Sequence, residues 1–262
     1  MQRATSRLRP DLQRLTRSLE GFLSLSDSSD DVYLSSKTAL PAASEQLVKV
    51  YGRVCGELRP EHRILDWGCR HGVFSFLARS DLGSEVDLHG CDICSPDEYE
   101  AHHRSVGLQY KQIAHPSSLE YADNTFDCVL AGGTLEHVPN DVASLNELWR
   151  VLKPYGALII THLPNSGSWS ELVSRLFFPI QAHKRLYSLA QTRQQLVHQG
   201  FLTEQCGYHH LAPSSLPPSL LNKPLLAQGI HYLQVLNMFE NFWPIRKLSA
   251  ACWIVARKYP GF

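Results

Sequence analysis

Arg63 to Ala78 reads RILDWGCRHGVFSFLA, and the rest of the chain is most easily understood outward from it. Arg63-Ile64-Leu65 opens a short apolar run that ends in an acid, Asp66, as a buried parallel strand does at its carboxyl end. Trp67-Gly68-Cys69-Arg70-His71-Gly72 then reads as a tight turn, and Val73, Phe74, Phe76 and Leu77 follow at helical spacing. Strand, glycine turn and helix in this order bring backbone close to a ligand, and the amides at the helix start can receive a carboxylate or a phosphate. Asp66 would repel a pyrophosphate in that turn but meets an ammonium group, directly or through water. A ligand with a zwitterionic amino-acid end therefore fits better than a dinucleotide.

The dinucleotide fingerprint G-x-G-x-x-G needs three glycines, and Arg70 stands where the middle one belongs. The segment instead resembles D-x-G-C-G-x-G, the first motif of class I S-adenosylmethionine-dependent methyltransferases of the ubiquinone and menaquinone type, with Arg70 as its departure. A structural turn that binds nothing is the plain alternative. The resemblance implies an α/β fold: a Rossmann-like, doubly wound seven-stranded sheet with helices on both faces and an antiparallel last strand. Residues 1–58 then form a helical lid and 59–262 the methyltransferase domain, with acceptor-side insertions at about 163–190 and 209–249.

The 262 residues suffice for a substantial core, and the formal charge is balanced, which gives no support to a nucleic-acid surface. Seven cysteines scattered through apolar segments fit reduced thiols in the cytoplasm. Cys91-Asp92-Ile93-Cys94 is a C-x-x-C with no second pair at zinc spacing. No apolar run reaches the roughly 18 residues of a membrane span, and the amino terminus lacks a signal-peptide core.

Residues 1 to 25 pair Arg3, Arg7, Arg9, Arg14 and Arg17 with leucines at 8, 12, 15 and 19, a basic amphipathic helix. It can lie on an anionic membrane, target the chain, cover the active site, or pack its leucines on the core. Ala43 to Leu58 is a second helix; Tyr33 and Tyr51 are cofactor contacts or, more simply, core tyrosines.

Glu85 to Asp92 reads as the second strand, again ending in an acid, 26 residues after Asp66 where about 20 is usual. A carboxylate there accepts both hydroxyls of a ribose, and Asp92 with Ile93 supports an adenosine ligand without choosing between S-adenosylmethionine and NAD. Leu108–Ala114 and Phe126–Ala131 are the third and fourth strands. The segment between them resembles the family's D-A-x-x-L-P-F-x-D-x-S-F-D, with His115 in place of the acid that meets the adenine amino group. Pro116 has no amide proton, so an amide contact to the base falls to Ser117 or Ser118.

Gly132-Gly133-Thr134-Leu135-Glu136-His137-Val138 resembles the family's L-E-H-V segment, which places Ala131 and Gly132 against the methionine part of the cofactor. Quinone-type relatives with E-x-x-E-H bind a metal here; Gly133 occupies the first acidic position, and no metal is expected. NELWRVLKPYGALIITHLPN resembles the family's helix, L-K-P-G-G turn and fifth strand, with Tyr155 for the first glycine. Beyond Asn165 a helix over Ser168–Pro179, a late helix, a sixth strand around LTEQCGY and a seventh over Ala250–Arg257 follow more loosely. Between the last two strands, Leu226, Ile230, Leu233 and Leu236 form one helical face and Tyr232, Val235, Phe239 and Phe242 another. Such a helix is buried on both sides, or meets a second copy of the chain, a lipid or an apolar acceptor.

The resemblance implies methyl transfer from S-adenosylmethionine, with Asp66, Trp67, Gly68, Cys69, Gly72, Asp92, Ile93, Pro116, Ser117, Ala131 and Gly132 around the cofactor. Alignment does most of the work in such a displacement. A hydroxyl acceptor also needs its proton removed, and three histidines fall near the crevice: His137 first, then His183, then His162. The resulting expectation is O-methylation of a small-molecule, sugar or lipid-linked acceptor, by a cytoplasmic protein that touches the membrane peripherally or forms a homodimer. An NAD-dependent dehydrogenase and a non-catalytic scaffold are the alternatives.

Overall fold

The structure, a computed structural model, describes residues 10–25, 41–177, 179, 182–212, 229, 232–240 and 242–261. In chain order the main elements are α1 (Leu12–Leu23), α2 (Pro41–Val54), β1 (Arg63–Trp67), α3 (Val73–Leu82), β2 (Asp87–Asp92), α4 (Glu100–Val106) and β3 (Gln109–Gln112). They continue as β4 (Phe126–Gly132), α5 (Asp141–Val151), β5 (Leu152–Pro164), α6 (Trp169–Phe177), α7 (Leu189–His198), β6 (Phe201–His209) and β7 (Ala251–Lys258).

The strands form one seven-stranded sheet in the order β3-β2-β1-β4-β5-β7-β6. β3, β2, β1, β4 and β5 run parallel, and β7 is antiparallel to both β5 and β6. The expected antiparallel last strand is therefore present, inserted between β5 and β6. β1, β4 and β5 alternate between two cores, as strands covered on both faces do. Ile64, Cys128, Leu130, Ala157 and Ile159 face α1, α2 and α3. Leu65, Val129, Ala131, Leu158 and Ile160 face α5 and α7.

The leucine face of α1 is used up inside the fold. Leu15, Leu19, Phe22 and Leu23 are buried, Phe22 stacks on Phe76 of α3 at 4.4 Å, and Leu12 lies against Gly52 of α2. Tyr51 is a core tyrosine whose hydroxyl donates to Asp81 at 2.7 Å; Tyr33 lies outside the described residues. β5 is longer than the ALIIT expected of it, because Leu152 already pairs with Phe126 before the turn at Tyr155.

The expected two-faced helix between β6 and β7 is helical at the described residues 229, 232 and 233 and passes into short 3-10 turns at Gln234–Phe239 and Ile245–Leu248, where burial on both faces is corrected: Tyr232, Val235, Phe239 and Phe242 are exposed. Helical spacing identified the apolar residues but not their neighbours: Arg53 pairs with Glu240 and Gln46 bonds Gln234, anchoring the polar side of this segment to α2 instead. Leu226 and Ile230 lie outside the described residues.

Candidate active site

The carboxyl ends of β1, β2, β4 and β5 meet at one edge of the sheet, and the turn after β1 is shaped by steric demand. Gly68 has φ 72°, and a Cβ there would come within 2.2 Å of Thr134, whose hydroxyl donates to the Trp67 carbonyl. Gly72 caps α3 at φ 76°. Arg70, standing where the motif has glycine, also adopts a left-handed backbone at φ 42°, and Tyr155 does the same at φ 62°. Both departures from the motif thus retain the backbone that glycine would supply, at a cost of about 1–2 kcal/mol each.

The two strand-end acids lie side by side. Asp66 is buried, accepts the amide and hydroxyl of Ser75 at 3.1 and 2.7 Å, and is pushed up to about 6, chiefly by desolvation and further by the charge of Asp92. Asp92 accepts the Arg70 amide at 2.9 Å on one oxygen and the Ile93 amide at 2.7 Å on the other. A carboxylate has about four acceptor positions, so capacity for two hydroxyls remains. Ile93, 61% exposed, is an apolar wall beside it.

The hydrogen bonding shows where several of the expected site residues direct their polar groups. The turn amides are taken internally: Gly68 and Cys69 donate to the Cys91 carbonyl, Gly72 to Cys69 and Arg70 to Asp92. Ser117 donates its amide to Nδ1 of His115 and Ser118 to the His115 carbonyl, so neither amide is held ready for the base. The cause is local, since a histidine two residues upstream accepts a bond that an aspartate in a turn would also accept. Trp67 and Ala131 are core side chains, and Trp67 Nε1 ties the turn to the Pro116 carbonyl at 3.2 Å. Burial pushes the Cys69 thiol well up, which keeps it neutral.

Two glycines stand at the end of β4, beside the end of β5. A Cβ on Gly132 would strike the Phe74 ring at 2.9 Å, and Gly133, at φ 69°, sits between Glu136 and His162. Around this point the fold gathers an acid–base group from separate segments. His183 Nδ1 lies 2.6 Å from Oε1 of Glu171 on α6, and the His137 ring lies 6.3 Å from that of His183. Burial alone would raise Glu171, but His183 and Arg175 hold it below the usual carboxylate range. An ionised carboxylate only accepts, so Nδ1 carries the proton and the basic lone pair is on Nε2.

Glu136 is the other member. Its side chain is 4% exposed, and burial pushes its carboxyl up to about 7, against the opposing charges of His183 and Arg185. His137 is held below the ordinary histidine value by desolvation and by the neighbouring His183 and Arg70. His162 contacts Phe74 and leans toward His209 and His210 rather than toward His183. The structure thus brings His137 and His183 together and sets His162 in a different group. Sequence reasoning missed Glu171 and the burial of Glu136; the L-E-H-V resemblance contained the second, while nothing in the helix pattern of α6 singled out the first.

Residues 65–160 match the family described as Methyltransferase domain. The chain is 31% identical over 121 residues to demethylmenaquinone methyltransferase of Listeria welshimeri, covering 44% of this chain and 51% of that protein. It is 30% identical over 108 residues to phosphoethanolamine N-methyltransferase 3 of Arabidopsis thaliana, covering 40% and 22%. The chain therefore spans about half the length, or less, of these curated relatives. A Galdieria sulphuraria structure assigned as a sarcosine dimethylglycine methyltransferase superposes with a TM-score of 0.58 at 19% identity, covering 84% of this chain and 87% of that one. The cyclase SpnF superposes at 0.55 and 18% identity, covering 99% and 100%.

Residues 65–160 thus resemble a methyltransferase domain, and the seven-stranded sheet has the fold of the solved structures on which it superposes. Nothing in the matches favours a dehydrogenase.

Proposed function

We propose that the protein methylates a hydroxyl oxygen of a small acceptor that carries an apolar portion. When bound, S-adenosylmethionine supplies a methyl group activated by a sulfonium centre. Asp92 takes the ribose hydroxyls on its two remaining acceptor positions, Ile93 and the Pro116–Ser117 backbone border the base, and Asp66, through water, faces the ammonium end. Gly132 and Gly133 border the reacting end.

The observation that carries the reading is the Glu171–His183 pair beside Glu136 and His137. Nε2 of His183 would take the acceptor hydroxyl proton as bound S-adenosylmethionine gives up its methyl group, its C–S bond breaking to a neutral thioether, and Glu171 would stabilise the imidazolium that results. His137 stands next to it as a second base. Leu172, Leu176 and Phe177 on α6 are 60%, 68% and 70% exposed, and Phe242 and Trp243 add further apolar surface. An acceptor with a lipid-like portion, of the kind named by the demethylmenaquinone relative, suits that face better than a bare sugar; a second copy of the chain would compete for it.

Membrane contact through α1 would require release of its buried leucines, so we place apolar contact on α6 and the 232–248 segment. All seven cysteines are free thiols, which suits a reducing cytoplasm. The test combines titration calorimetry with transfer of labelled methyl groups to a panel of hydroxylated apolar acceptors. Binding of S-adenosylmethionine but not NAD is expected. His183→Ala should lower kcat by roughly 10²–10⁴-fold with little change in cofactor affinity, and Glu171→Gln should shift the pH–rate profile. Absence of cofactor binding, or full turnover by His183→Ala, would defeat the proposal.

A further inference from the structure

A separate group of histidines lies at the ends of β5 and β6. His162 follows Thr161, the register partner of Gly132, and His209 and His210 end β6. One ring nitrogen from each of the three lies within 4.8 Å of the others. The rings are mutually steep: His209 and His210 at 4.2 Å and 86°, His162 and His209 at 4.9 Å and 79°. His209 and His210 are buried, and His162 is half-buried.

Edge-on imidazoles converging from two strands are hard to explain as packing. Neither ring nitrogen of His209 makes a hydrogen bond of ordinary geometry, although the Cys252 backbone is close by. A buried polar nitrogen left in that state costs about 1–3 kcal/mol. His162 and His210 are held at φ 56° and 60°, an unusual backbone that aims both rings inward.

We propose that His162, His209 and His210 bind a divalent transition-metal ion of the zinc class, at the crevice edge of the sheet beside Gly132 and Gly133. Three neutral imidazoles suit zinc, iron, nickel or copper and exclude the hard cations. Three protein ligands with one open position are the donor set of a metal that takes water or a substrate oxygen as its fourth partner. Bonds of about 2.0–2.1 Å require the three rings to draw closer than their present spacing, which rotation about their side-chain bonds supplies.

A small hollow bordered by Gln46, Lys49, Arg53 and Glu240 lies against His209 and His210. Arg53 would oppose a cation there, but it pairs with Glu240, whose other oxygen accepts the His210 amide at 3.2 Å. The site uses none of the residues of the acid–base group; His162, the third histidine expected near the crevice, belongs to this cluster instead. It departs from the expectation of no metal, which rested on Gly133 in a different motif.

The experiment is titration of the chelator-stripped full chain with Co²⁺ and Zn²⁺, read by visible d–d absorption and by metal retained after gel filtration, without cofactor present. One equivalent is expected to bind. His162→Asn and His210→Asn, which tolerate the left-handed backbone, should each weaken binding by about ten-fold or more while retaining wild-type circular dichroism. No bound metal in the wild-type chain, or variants that bind as tightly as wild type, would overturn the proposal. Since no readout involves S-adenosylmethionine, failure here leaves the methyl-transfer reading untouched.

Discussion

Gly68 shows how little freedom a single position in the cofactor turn has. A side chain there would carry both a positive φ and a 2.2 Å approach to Thr134. Gly68→Ala should cost roughly 3 kcal/mol and reduce S-adenosylmethionine binding, measured by urea unfolding and calorimetry; a fully stable variant would show that the turn relaxes. Glu136 makes an opposite prediction. Its folded carboxyl, near 7, binds a proton more tightly than the unfolded one at 4.5. The stabilisation is therefore complete at low pH and is lost as pH rises through about 7, a difference of about 3 kcal/mol. Glu136→Gln should match wild type near pH 4.5 and exceed its stability at pH 8, while activity falls. Equal stability at both pH values would mean that the buried carboxylate carries no such penalty.

Among the elements, α5 holds the loop proposed to border the base through one residue. Arg150 donates to the carbonyls of Tyr121 and Leu119 and to Asp123 and Glu147, and Glu147 accepts the Leu119 amide at 2.6 Å. Arg150→Ala should therefore loosen residues 115–125 and weaken S-adenosylmethionine binding about ten-fold; calorimetry showing unchanged affinity would remove the loop from the site. Helix α1 acts differently, by burial. Leu19 is fully buried, and Leu19→Ala should lower stability by about 2–5 kcal/mol. Stability within 1 kcal/mol of wild type would mean that α1 detaches readily, which is the condition for it to meet a membrane.

For the molecule as a whole, the sheet order brings the carboxyl ends of six parallel strands to one edge, and the proposed cofactor groups of β1, β2 and β4 lie there together. A ligand that binds only the folded state at 100 times its Kd adds about 2.7 kcal/mol. S-adenosylmethionine should thus raise Tm in proportion to the logarithm of its concentration, and NAD should not.

The central strands and the turn were legible in the chain because each is specified locally: β1 by an apolar run closing on Asp66, the turn by Gly68 and Gly72. The segment between β6 and β7 misled for the same reason, since periodicity reports a residue's character and not what lies opposite it. Sequence alone determined the class of fold and the acids at the ends of β1 and β2. Only the tertiary structure decided which histidine meets Glu171, that Glu136 is buried, and that His162 joins His209 and His210. Those partners lie 12 to 48 positions apart in the chain, and their proximity is set by strand order and packing, which no local pattern encodes.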